Sequence, residues 1–245
     1  MNGYNGVYLM GNYPDAERFK AAALKGLERF DFLEVGVPFS DPVADGPVIA
    51  RAAEAVLERG FRLDELARSV AEIRAKAPAG KRIYFMTYAN PVHNRGLVRF
   101  ATLSKSSGAD GVIVPDVPFT ESAPFRDAFG ARGLDYIDFA TPENTPEQIR
   151  ETARTARGFL YFVSIRGITG SGFALDATTR SKIRQARRSS TVPVVLGFGI
   201  RSAADARAAV ELAGGFIVGT GAVSALGSGG PDGLGRYLES LFTGE

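Results

Sequence analysis

Eight short apolar runs, separated by segments of helical pattern, limit what this chain can fold into more than any other feature. They are GVYLMG (6–11), DFLEVGV (31–37), RIYFMTY (82–88), GVIVPD (111–116), DYIDFA (135–140), GFLYFVS (158–164), VPVVLGF (192–198) and GFIVGT (215–220). Most are almost continuously hydrophobic rather than alternating, as in parallel strands buried on both faces. Between and after them come helix-patterned stretches, from PDAERFKAAALKGLERF near the start to GPDGLGRYLESLF near the end. Strands alternating with helices imply a parallel sheet. Eight such units in 245 residues fit a single (β/α)8 barrel over residues 1–245. An open doubly wound sheet is the alternative that the same pattern allows. Local signals agree with the boundaries. Thr145, Pro146 and Gln148 read as an N-cap, a proline at the first helical position and a capping-box partner. Ser202 with Asp205 is a weaker version, and Gly108, Gly133 and Gly214 stand where helices should stop.

Composition then narrows the chemistry. The chain has no cysteine and one histidine, His93. Disulfides, thiolate metal sites, cysteine nucleophiles and any Ser-His-Asp triad without His93 are excluded. Acid–base work would fall to carboxylates, tyrosines or lysines. Lys+Arg number 29 against 27 for Asp+Glu, with no basic run interleaved with aromatics, so nothing calls for a nucleic-acid partner. The apolar stretches are strand-sized, far short of a membrane span. MNGYNGVYLM lacks the features of a signal peptide, which makes the cytoplasm the expected compartment. There is no GxGxxG after the first run, no P-loop lysine motif and no metal-ligand spacing. His93 in NPVHNRG reads as a rim or surface residue.

In a (β/α)8 barrel, sites form at the C-terminal ends of the strands and in the loops that follow. Side chains alternate along a strand. Leu33, Val35 and Val37 should therefore face the outer helices, and Phe32, Glu34 and Gly36 the interior. Asp45 follows in a Pro- and Gly-rich loop on the same rim. A buried carboxyl with a raised pKa beside an ionised one can carry acid and base chemistry near neutral pH. Two plainer readings stay open: Glu34 as an interior carboxylate bonded to a tyrosine or a backbone amide, and Asp45 as an Asp-Gly turn residue. Tyr88, Asp116 and Tyr161 also fall at strand ends. Glycine-bearing loops GITGSG (167–172), GFGI (197–200) and VGTG (218–221) follow the last three strands, where backbone N–H groups can cradle a phosphate.

LEVGVPFSDPVADGP together with YANPVHNRG closely resembles the α subunit of tryptophan synthase. The likeness continues through VIVPDVPFTESAPF, SIRGITGSG, LGFGIRSAADA and GFIVGTGAV, from about Tyr8 to Val223. The resemblance implies a TIM barrel and retro-aldol cleavage of indole-3-glycerol phosphate to indole and glyceraldehyde 3-phosphate. It makes Glu34 the acid–base group and Asp45 the carboxylate that bonds the indole N–H and offsets charge on the ring. Tyr88, Asp116, Tyr161 and Thr169 become substrate-side residues. Gly170, Gly199, Gly219 and Thr220 become the phosphate cradle. Phe39, Met86 and Val114 would wall the indole, and closure of the loops after strands two and six would exclude water. No metal or cofactor is implied on this chain; pyridoxal phosphate is expected only on a β partner, in an α2β2 complex contacted through Asp41, Pro42 and Asn94. Two alternatives accompany this reading. One is a weakly active or inactive α-like subunit that activates a β subunit; the other is a different phosphosugar barrel enzyme. The sequence also departs from the family pattern. Few residues precede the first strand, so the helix that usually covers the barrel's bottom should be missing or reduced. Ile165 and Arg166 follow Ser164 where some members carry arginine one place earlier, and Thr220-Gly221 replaces the usual Ser-Ala.

Overall fold

The structure, a computed structural model, describes residues 3–163, 175–197 and 199–243. Its strands are β1 (Gly6–Met10), β2 (Phe32–Gly36), β3 (Arg82–Met86), β4 (Gly111–Ile113), β5 (Asp135–Ala140), β6 (Leu160–Phe162), β7 (Val194–Leu196) and β8 (Ile217–Val218). They form one eight-stranded sheet in the order β7-β6-β5-β4-β3-β2-β1-β8. The pairing is parallel, with Phe32 to Gly36 set against Arg82 to Met86 and Leu160 to Phe162 against Val194 to Leu196. Leu196 also bridges Phe216, the residue before β8. Strand order thus follows chain order and returns on itself. A doubly wound sheet would reverse its order partway, so the (β/α)8 expectation holds. Each strand lies within one of the eight apolar runs. Several are shorter than their run because the flanking glycines and prolines belong to the rim loops. Pro115, for example, has no N–H to give to a ladder.

The chain divides into two compact units. One contains Val7–Tyr136 and Gly219–Leu238. There, α1 (Ala16–Arg29) begins at Asp15, whose carboxylate accepts the Arg18 N–H at 2.8 Å, and it buries Phe19, Ala22, Ala23 and Leu27. After β2 come α2 (Pro47–Leu57) and α3 (Leu63–Lys76). After β3 the chain forms a short α4 (Ala89–Arg95), then α5 (Leu97–Ser106), and α6 (Ala123–Gly130) follows β4. The sequence pattern predicts no helix over NPVHNRG. Pro91 lies in the first turn of α4, where its missing N–H breaks no helical bond, so proline there did not forbid one. The last element, α10 (Thr220–Thr243), kinks at Gly230, where φ is 61°, and Pro231 follows. Within this unit, residues Thr220–Leu238 fold back so that Tyr237 packs against Gly221.

At the start of β3 and β4 a cluster of charges ties this unit together. Arg74 of α3 donates to the carbonyls of Gly108 and Lys81, each at 2.8 Å, and pairs with Asp110. Asp110 also accepts the Ile83 N–H at 2.8 Å and meets Arg82 at 3.0 Å. Asp110→Ala removes the acceptor of a strand N–H and the partner of a half-buried guanidinium. Urea unfolding should register a loss of about 2–3 kcal/mol, and a loss under about 0.5 kcal/mol would mean the cluster behaves as an exposed ion pair.

The second unit contains Met1–Gly6, Ile137–Val218 and Glu239–Glu245. Its helices are α7 (Pro146–Thr155), α8 (Ala177–Ser189) and α9 (Ala203–Leu212). Thr145 and Gln148 form the expected capping box, and Ser202 and Asp205 form a second. Lys182 of α8 donates to the Asn144 carbonyl at 2.8 Å and also to that of Pro142, which fixes the chain between β5 and α7. Among the described residues no helix precedes β1. Tyr4 instead donates its N–H to the Gly214 carbonyl at 3.0 Å, and Asn5 accepts the Phe216 N–H at 3.3 Å. Gly215 is needed there, because a Cβ would lie 2.9 Å from the Tyr4 carbonyl carbon.

Candidate active site

β2 is buried along its whole length, so the face on which each side chain lies decides its role. Glu34 pairs in register with Tyr84, whose ring meets Phe32 edge-on at 5.7 Å. The next residue of β3, Phe85, turns the other way and packs against Phe100 of α5 at 6.4 Å. Phe32, Glu34 and Gly36 therefore share the face turned away from the helices, as the alternation requires. Glu34 has no solvent exposure, and neither of its carboxyl oxygens has a hydrogen-bond partner among the described residues. The plain reading, a satisfied interior carboxylate, does not describe it there. Burial pushes its pKa up to about 8, and the negative charge of Asp45 adds to that rise. At neutral pH the group is mainly a neutral acid holding a proton.

Asp45 comes from the loop after β2, which two backbone bonds fold into a tight turn: Val43 N–H to the Asp41 carbonyl at 2.9 Å and Asp45 N–H to the Pro42 carbonyl at 3.0 Å. Burial raises the Asp45 pKa, and a hydrogen bond from the Tyr88 hydroxyl opposes that rise. The Tyr88 oxygen accepts the Ala44 N–H at 3.1 Å, which leaves its own proton to point at the aspartate. Burial and the nearby Asp45 charge raise the Tyr88 pKa, so the phenol stays a donor. Tyr88 directly precedes α4, and Asp116 holds the start of that helix by accepting the Ala89 N–H at 2.9 and 3.1 Å. Phe39 lies beside the Tyr88 ring at 5.4 Å. Two carboxyl groups, both pushed up by burial and near enough for the charge of Asp45 to act on Glu34, thus lie at β2 and the loop after it, with a tyrosine keyed to Asp45. Such a pair can donate a proton and hold a cation against an anion.

The other anticipated residues fall as follows. Gly219 and Thr220 stand where α10 begins, a position whose free N–H groups suit an anion. In the second unit, Tyr161 is buried and stacks on Phe139 at 5.0 Å, and Gly197 leaves room for its ring. Gly199 follows β7 with φ of 84°, a conformation that favours glycine. Thr169 and Gly170 lie outside the described residues. Asp41 and Asn94 are exposed, Pro42 is half-buried, and Val43 between Pro42 and Ala44 is 83% exposed. His93 is exposed on α4, with its ring edge-on to Phe125 at 5.3 Å. Sequence reasoning missed the bond that links Tyr88 to the Asp45 loop. Among the described residues no cluster of His, Asp or Glu could hold a metal ion, and no helix is long and apolar enough to cross a membrane.

Residues 7–233 match the family described as tryptophan synthase alpha chain. The chain is 38% identical over 224 residues to the tryptophan synthase alpha chain of Deinococcus radiodurans, covering 91% of this chain and 82% of that protein. It is 35% identical over 236 residues to that of Synechococcus elongatus, covering 96% and 88%. Among solved structures, the tryptophan synthase a2b2 complex from Pyrococcus furiosus is similar with a TM-score of 0.89 and 30% identity over 98% of each chain. A ligand-free tryptophan synthase from M. tuberculosis gives 0.84 and 34%, covering 99% of this chain and 93% of that one.

Proposed function

The chain belongs to the tryptophan synthase alpha chain family, and from that premise we propose that Glu34 and Asp45 cleave indole-3-glycerol phosphate to indole and glyceraldehyde 3-phosphate. The observation that carries this reading is the buried, unpartnered carboxyl of Glu34 with Asp45 as its charged neighbour. Glu34 gives its proton to C3 of the indole ring, leaving a cation shared between C2 and the ring nitrogen. Asp45, held by Tyr88, accepts the ring N–H and balances that charge. The Glu34 carboxylate then takes the proton of the side-chain hydroxyl next to C3. The C–C bond breaks, its electrons restore the neutral ring, and the former alcohol carbon leaves as the aldehyde. Glu34 ends protonated, as it began. These steps are proton transfers that call on no metal or cofactor of this chain.

Tyr88 and Tyr161 serve the ring and Asp116 positions Tyr88. Gly199, Gly219 and Thr220 take the phosphate with Gly170, and Thr169 serves the substrate, as the family resemblance implies. The partner is a β subunit in an α2β2 complex, where pyridoxal phosphate belongs, and its contact runs over Asp41, Pro42 and Asn94. The exposure of Val43 beside them supports an apolar contact there. The setting is cytoplasmic, consistent with a phosphorylated substrate that cannot cross a bilayer unaided. The purified chain should release indole from indole-3-glycerol phosphate, faster when a β subunit is added. No indole under either condition would overturn the reading.

A further inference from the structure

Within the unit that holds Val7–Tyr136 and Gly219–Leu238, Gly36 at the end of β2 and Gly219 at the start of α10 both meet one side chain of β1, Tyr8. A Cβ built on Gly36 would lie 2.6 Å from Cζ and 2.9 Å from Cε2 of Tyr8, with the hydroxyl nearer still. A Cβ on Gly219 would lie 3.5 Å from the Tyr8 Cβ and 3.6 Å from its Cδ1, with Ile49 Cδ1 at 3.7 Å. The ring is therefore laid from the start of α10, at its Cβ end, to the strand that carries Glu34, at its hydroxyl end. Gly36 is the next residue beyond Glu34 on the same face, and any side chain there would occupy the space that the phenol fills. Tyr8 is 4% exposed, so it forms floor rather than rim.

We propose that Tyr8 selects the substrate's side chain: its hydroxyl forms a hydrogen bond with a hydroxyl of the three-carbon chain between ring and phosphate. This rests on the reading of the site given above. A ligand gripped at the phosphate end by Gly219 and at the ring end by Glu34 must lay its linker across the Tyr8 ring. The hydroxyl lies at the Glu34 end of that path, where the linker carries its oxygens. A phenol serves as both donor and acceptor, and a floor built to bond a substrate hydroxyl discriminates against an analogue lacking it more sharply than an apolar floor does.

The test uses Tyr8→Phe in a Glu34→Gln background, so that bound substrate is not consumed, with two ligands. One is indole-3-glycerol phosphate. The other is 3-(indol-3-yl)propyl phosphate, which keeps both ends and lacks both chain hydroxyls. Calorimetric titration should show the glycerol phosphate weakened by about 5–10-fold, the range for one neutral hydrogen bond, and the propyl phosphate changed by less than about twofold. Equal losses for both ligands would make Tyr8 a packing residue only, and no loss for either would remove it from the site; both outcomes overturn the proposal. If wild-type protein releases no indole, the broader reading fails first. If it does and the variant shows no discrimination, only the role of Tyr8 falls.

Discussion

Glu34→Gln should lower indole release by about two to four orders of magnitude, the usual contribution of a positioned acid–base group, and should also make the protein more resistant to urea at neutral pH. The two effects share one cause. The amide matches the carboxyl in shape but has no proton to give to C3 and no anion to take one back. The carboxyl meanwhile costs stability in a way the amide does not. Its folded pKa of about 8 lies above its ordinary value of 4.5. Below the ordinary value both folded and unfolded chains carry the proton, and no penalty arises. As pH rises from there to about 8 the unfolded chain releases the proton while the folded chain keeps it, so stability declines across that window and then levels off. The full shift is on the order of 5 kcal/mol. Wild-type stability should therefore fall between about pH 5 and pH 8, with the variant flatter over the same range. Turnover by the wild type should decline above about pH 8, as the acid is lost. A variant that keeps more than a tenth of wild-type turnover would remove Glu34 from the chemistry.

Asp45→Asn should cost about 10²–10³ in kcat, comparable to removing one preorganised electrostatic contact at a developing charge. Asparagine can still meet the ring N–H through its amide oxygen, so substrate affinity should change less than kcat. What disappears is the full negative charge opposite the cationic ring. A second consequence follows from the coupling. Asp45 adds to the rise in the Glu34 pKa, so without it Glu34 should lose its proton at lower pH. The alkaline limb of the pH–rate profile should move downward, though only partway, because burial remains the larger cause. An unchanged limb with unchanged kcat would show that the two carboxyl groups do not act together.

The parts of this molecule legible in the sequence are those written in local code. Eight buried runs gave eight strands, and Thr145-Pro146 with Gln148 gave the start of α7, because a capping box is contained within one turn. Glu34 was legible because a carboxyl on the inward face of a buried strand contradicts its surroundings. The linkage of Tyr88 to the Asp45 loop was not: Ala44 and Tyr88 are 44 residues apart and meet only after β2 and β3 pair. For the same reason Asp116 could be placed on the rim but not joined to Ala89. The role of Gly36 required knowing which side chain of β1 lay beside it, and that depends on strand order and register rather than on either run alone.

The turn of residues 41–45 has one further implication. Val43, almost wholly in solvent, and Asp45, largely withdrawn from it, are joined by a fold only a few bonds long, with both N–H groups committed to it. A partner docked on Val43 would therefore press on the same short turn that carries Asp45, with two backbone bonds between the contact and the carboxylate.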